Sequence, residues 1–146
     1  MRFFELEPEM PGDLGPSTTG DLISRPPKIK NLEFEFNVWP DDCLVEAIGT
    51  YIVIDTLRDK LILLNPTGVT FDRVKISKSE FFREFYRHLY PNRKLPAFSW
   101  LKITGQGGKD DFGLSPRGNL IVSLRVLELL KEFGLNHCEI ENYNFG

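Results

Sequence analysis

Apolar and polar positions alternate with a period of two in several short stretches, the pattern of strands that present one face to a core. RFFELE (residues 2–7) predicts a first strand. NLEFEFNVW (31–39) predicts another, with Leu32, Phe34, Phe36 and Val38 on one face and Glu33, Glu35 and Asn37 on the solvent side. YIVI (51–54) is a continuous apolar run, as expected of a strand buried on both sides. VTFDRVKI, FSWLKIT, LIVS and HCEIENY complete the strand-like set.

Three segments carry helical spacing instead. After YIVI, Asp55 is a candidate N-cap, Leu57, Leu61 and Leu64 share a face, and Asn65-Pro66 ends the run. In ISKSEFF, Ser77 and Glu80 have capping-box spacing, with Ile76 and Phe81 as the staple pair. Phe81, Phe82, Phe85, Tyr86 and Leu89 then predict a core-facing stripe that stops at Pro91. LRVLELLKEF predicts a last helix between Ser123 and Gly134, a residue suited to the positive φ of a helix end. Strands in hairpin-like pairs, interrupted by helices without regular βαβ alternation, predict one α/β (α+β) domain over residues 1–146. Its sheet should be mostly antiparallel or mixed, with two to three helices.

Residues 8–31 break the pattern. They hold five of the ten prolines, and they read as a long surface excursion without regular structure. The start of the chain has no signal-peptide pattern, and no apolar run approaches a membrane span. Two cysteines, Cys43 and Cys138, do not make a disulfide framework, so reduced thiols in a cytoplasmic protein are expected.

Net charge is only −3, but it is unevenly placed. Residues 1–60 carry 6 basic against 12 acidic side chains, 61–109 carry 9 against 3, and 110–146 carry 3 against 6. A basic middle between acidic flanks suggests either mutual packing or two surfaces of opposite sign.

Candidate chemistry adds little. Asp111-Phe112-Gly113 matches the magnesium-binding tripeptide of protein kinases, but the glycine-rich phosphate loop, strand lysine and His-Arg-Asp loop are missing. QGGKDDFGLSPRGN instead reads as turns, with Asp110 and Asp111 bonding their own backbone and Phe112 and Leu114 pinning the loop to the core. No metal-ligand spacing, cofactor motif or serine-nucleophile motif is present. A small hydrolase using Asp110, Asp111 or Cys138 is the enzymatic alternative. A nucleic-acid or regulatory module using the basic segment 78–102 is another; there Arg83, Arg87, Arg93, Lys94 and Lys102 interleave with aromatics. The helical period, however, sets those cations on the solvated face opposite the aromatics.

MRFFELEPEMPGDLGP, LEFEFNVWPDDCLVE, FREFYRHLYPNRKLPAFSWLKITGQGGKDDFGLS and LIVSLRVLELLKEFGLNHCEIEN together resemble the proteobacterial, myxobacterial-type immunity proteins of polymorphic toxin systems. The likeness runs over nearly the whole length and in the same order. It implies a cytoplasmic, non-enzymatic protein that binds a cognate toxin protein by occlusion, with no cofactor and with neither nucleic acid nor membrane as partner. The family supplies no site residues. Fast association and slow release favour acidic loops with an aromatic anchor. The expected toxin face is therefore bordered by Asp41, Asp42, Asp110 and Asp111, with Trp39 and Phe112 as the aromatics beside them.

Overall fold

The computed structural model describes residues 2–144 as one α+β domain, in which three helices pack on mostly antiparallel sheets. The first sheet has the order β11-β12-β1-β13, from Phe112–Leu114, Leu120–Ser123, Phe3–Glu7 and Glu139–Asn142. The second has the order β6-β7-β10-β8, from Leu44–Ala47, Thr50–Ile54, Phe98–Ile103 and Val69–Asp72. Both are antiparallel throughout. A smaller sheet, β2-β5-β9, joins Gly12–Leu14, Glu33–Phe36 and Lys75–Lys78, and its β5–β9 pair is parallel. The hairpin β3-β4 (Thr19–Asp21, Lys28–Asn31) stands apart from these three sheets.

The second sheet is the central layer, and its strand alternation sorts the core into two. Leu44, Tyr51, Val53 and Leu101 face one cluster, shared with Phe4 and Leu6 of β1 and the buried residues of α1 (Asp55–Leu63) and α3 (Leu124–Phe133). Val45, Ala47, Ile52, Phe98 and Trp100 face the other, shared with Phe34 and Phe36 of β5 and with α2 (Glu80–Leu89). A layer covered on both sides accounts for the uninterrupted apolar run at 51–54.

Several expectations need correction. Residues 8–31 are not structureless: they hold β2, β3 and β4, and all five prolines fall outside those strands. VTFDRVKI is two strands, β8 and β9, which belong to different sheets. Phe112–Leu114 is an edge strand as well as an aromatic anchor, since Phe112 is fully buried. The N-cap of α1 is Ile54; Asp55 is its first helical residue, accepting from Ser99 Oγ at 2.7 Å. Ser79, not Ser77, caps α2, its hydroxyl accepting from the Phe82 N–H at 3.1 Å. Val38 is exposed, and Glu33, expected in solvent, is only 4% exposed.

Glu33 is what orders the excursion. Its carboxylate accepts from the Ser17 N–H, the Ser17 hydroxyl and the Ser77 hydroxyl. Its main chain is bonded by Gly15 and Thr18. A β-carbon on Gly15 would sit 2.3 Å from the Glu33 carboxyl carbon, so a side chain there would displace the Glu33 carboxylate from its partners. Hydrogen bonds from hydroxyls hold the Glu33 pKa down to about 2. A folded-state pKa below the unfolded value gives stability that is present above about pH 4.5 and lost as pH falls toward 2. In acid titrations followed by thermal unfolding, Glu33→Gln should lower stability near neutral pH and flatten the decline between pH 4.5 and 2; an unchanged slope would remove Glu33 from the acid response.

Among the described residues, no helix is long and apolar enough to cross a membrane. Gly134 ends α3 with a positive φ of +112°, but as the C-cap itself and, at ψ 106°, outside the left-handed helical region expected of a C′ glycine.

Candidate functional site

Helix α2 is the least buried helix in the fold. Its aromatic residues, Phe81, Phe82, Phe85 and Tyr86, span an arc of roughly 140° at 3.6 residues per turn, and only one part of that arc meets the core. Phe82 is 2% exposed and packs among Phe34, Phe36, Trp39 and Phe98. Phe81, Phe85 and Leu89 are 59%, 50% and 57% exposed. The expected core-facing stripe is therefore half a core stripe and half a surface. Phe34 and Phe36 of β5 and Trp39 of the 37–43 loop share a cluster with Phe82 and leave the other flank of the helix open.

On one flank, α2 borders a groove of about 280 Å³. Its aromatic wall is Trp39, Phe82, Tyr86 and Tyr90, and its cations are Lys78, Arg83, Arg87 and Arg93. The Trp39 ring stacks on Phe82, with centroids 5.6 Å apart, and the Trp39 backbone N–H donates to the Tyr86 hydroxyl at 2.9 Å. Tyr86 and Tyr90 stack at 5.5 Å, one helical turn apart. The Arg93 guanidinium lies 4.5 Å from the Trp39 ring centre and 5.0 Å from that of Tyr90, a double cation–π contact that closes the end of the groove. The expectation that cations and aromatics of this segment lie on opposite faces is thus overturned here. The 90–97 connection folds Arg93 back onto the rings, and Lys78 reaches the Phe82 ring from β9 at 5.6 Å.

The loops expected to border the toxin face have other partners. The Asp42 carboxylate is buried and accepts from the Asn136 and His137 N–H groups at 2.9 and 2.7 Å. Asp41 is exposed, 3.4 Å from His137 Nε2, and both backbone N–H groups of the pair donate to Glu9 Oε1. Asp110 makes the expected turn bond, accepting from the Gln106 N–H at 2.8 Å.

Asp111 does not bond its own turn; its carboxylate reaches across the fold. It receives Arg125 Nε at 2.9 Å, Arg125 Nη2 at 2.6 Å, Ser123 Oγ at 2.7 Å and the Thr67 N–H at 3.0 Å. These bonds, the guanidinium first, hold its pKa far below the usual carboxylate range. Asp111 thus joins the start of α3, while Asp42 meets the segment just after its end. A ten-residue helix spans roughly 15 Å, so the two acidic loops sit at opposite ends of it. Phe112 is fully buried, and of the six expected face residues only Trp39 belongs to the groove.

The residues considered for chemistry are placed as follows. Cys138 is partly buried, and burial pushes its thiol up to about 12, which works against a thiolate nucleophile. Cys43 is likewise raised to about 12. Among the described residues, no group of three or more His, Cys, Asp or Glu is arranged to hold a metal. The groove is not legible as a unit in the sequence because Trp39, Lys78 and Arg93 come from three separate segments: the 37–43 loop, strand β9 and the 90–97 connection. The density of Arg and Tyr at 83–93 was its one legible trace. No family model matches the chain, and no curated protein matches it in sequence.

Proposed function

We propose that this chain is a cytoplasmic immunity protein that binds a cognate bacterial toxin protein and occludes it, and that the groove beside α2 is where the toxin docks. One observation carries the reading: Trp39, Tyr86, Tyr90, Arg83, Arg87 and Arg93 meet in one groove. Trp, Tyr and Arg are the residues that dominate binding energy at protein interfaces. The rings are already stacked and the cations already placed, so little ordering entropy is lost on docking. Occlusion needs a shaped surface and no reacting group.

The groove favours protein over single-stranded nucleic acid. Bases stack on open ring faces, whereas Trp39 is 8% exposed, Phe82 is 2% exposed, and Tyr86 and Tyr90 cover each other. Tyr90 is 40% exposed, and the guanidinium groups beside it suit carboxylates and main-chain carbonyls.

The test is co-expression with the C-terminal domain of a large protein encoded in the neighbouring reading frame. Protection of the host and a stable complex are expected. The double variant Arg87→Glu/Arg93→Glu should slow association by about 10- to 100-fold and reduce its salt dependence. Reversal of Asp41 and Asp110 should leave both unchanged. Protection that survives the double variant would move the binding face elsewhere. Salt-sensitive binding to single-stranded RNA without a toxin complex would replace the immunity reading.

A further inference from the structure

The connection from β8 to β9 is only two residues long, Arg73 and Val74, and it carries the chain from the central sheet to the small one. Between this connection and β4 opens a cleft of about 350 Å³, separate from the groove beside α2. Its charged lining is Lys30 of β4, Asp72 and Arg73 at the connection, and Lys75 of β9. The three cations are exposed, and among the described residues none of them is in an ion pair. Carboxylates are not scarce, since the chain carries 21 acidic side chains against 18 basic ones.

The nearby carboxylates are already engaged. Asp72 Oδ1 accepts the Arg73 N–H at 2.7 Å, and Asp72 Oδ2 lies 3.5 Å from Lys102 Nζ. Glu33, opposite Lys75 in the β5–β9 register, is buried and given to Ser17 and Ser77. The cleft therefore keeps an uncompensated positive charge, which suits an anion.

We propose that this cleft is a binding site for a phosphate monoester, held through its oxygens by Lys30, Arg73 and Lys75. The three cations line one cleft from two directions, Lys30 from the hairpin and Arg73 and Lys75 from the other wall. A nucleic-acid backbone is met by cations spread along its length. A phosphate ester instead gathers about two negative charges and three acceptor oxygens at one point, which several cations can share. Trp100, which also lines the cleft, is 6% exposed and has Lys102 over its ring at 4.7 Å, so no ring face is offered to a base. The cleft shares no residue with the α2 groove, so the site stands or falls apart from the toxin reading.

The test is amide NMR of the full chain, titrated at constant ionic strength. Inorganic phosphate and a short phosphoserine peptide should each shift the amides of 30–32, 72–75 and 100–102, with half-saturation at roughly 0.1–5 mM. Acetate and the unphosphorylated peptide should not. Arg73→Gln and Lys30→Gln, both at exposed positions, should each weaken binding by about 3- to 10-fold with thermal unfolding unchanged. Together they should weaken it by more than about 10-fold. Lys75 stays in place, because its register partner is Glu33. Peptide affinity should fall as pH is lowered through about 6, where a phosphate ester loses its second charge. A peptide that binds more tightly than inorganic phosphate supports the site and assigns the group to a partner protein's side chain. A peptide that binds no more tightly supports it and assigns the group to a free phosphate. No saturable shift up to about 20 mM, shifts that acetate reproduces, or shifts that survive the double variant would overturn the proposal.

Discussion

Phe82→Ala should lower stability by about 3–5 kcal/mol, the cost of removing a fully buried aromatic side chain and leaving its cavity. Phe82 is the one residue of α2 that is fully buried, so the cost has no second site over which to spread. Its ring stacks on Trp39 and lies 4.6 Å from Tyr86, and its N–H closes the Ser79 cap. Denaturant titration should show a lower midpoint. Hydrogen exchange should show the amides of 80–89 losing protection before those of β7 and β10. A stability loss below about 1 kcal/mol would mean that α2 is held by something other than this contact. The groove wall rests on the same ring, so the variant should also change the Trp39 environment, read as a shift in tryptophan fluorescence.

Asp111→Ala comes second, at about 2–3 kcal/mol. The substitution removes four hydrogen bonds at once and leaves the Ser123 hydroxyl and the Thr67 N–H without their acceptor. The ionic part is the smaller share: the Arg125 side chain is 49% exposed, so solvent screens its charge. Arg125→Ala should therefore cost less than Asp111→Ala, since Ser123 and Thr67 still solvate the carboxylate. Equal costs would show that the ion pair, and not the hydrogen-bond network, dominates. Asp111 has a folded pKa lower than its unfolded value, so its contribution is present above the ordinary carboxylate range and is lost as pH falls below it. Asp111→Asn should flatten the acid limb of the stability profile.

Two glycines explain why this junction is so tightly specified. Gly68 sits at φ +80°, and a β-carbon there would lie 2.1 Å from the Phe112 carbonyl oxygen. A β-carbon on Gly105 would lie 2.5 Å from the Gly68 α-carbon. The connection after α1 and the loop before β11 thus touch backbone to backbone, which brings Thr67 into reach of Asp111.

Local chemistry alone was enough to define much of this fold. The apolar and β-branched runs in 2–7, 98–104 and 120–123 read as strands from composition and length alone, and all three are strands, with 98–101 and 120–123 buried at every position. Ser123 and Gly134 do bound α3, but only as its terminal positions: the Ser123 hydroxyl makes no capping bond and is given to Asp111 instead. Everything that depended on a distant partner was decided in three dimensions. Ser77 has the spacing of a cap, but β9 pairs with β5 and Glu33 takes its hydroxyl, so the helix starts two residues later. Asp111 looks like a turn residue until Thr67 and Arg125 are brought beside it. The helical period of 81–89 announces an apolar arc, but periodicity reports only which side chains share a face. Which of those side chains is covered is set by residues distant in the chain, Phe34, Phe36 and Trp39 among them, and here Phe82 is covered while Phe81, Phe85 and Leu89 stay open.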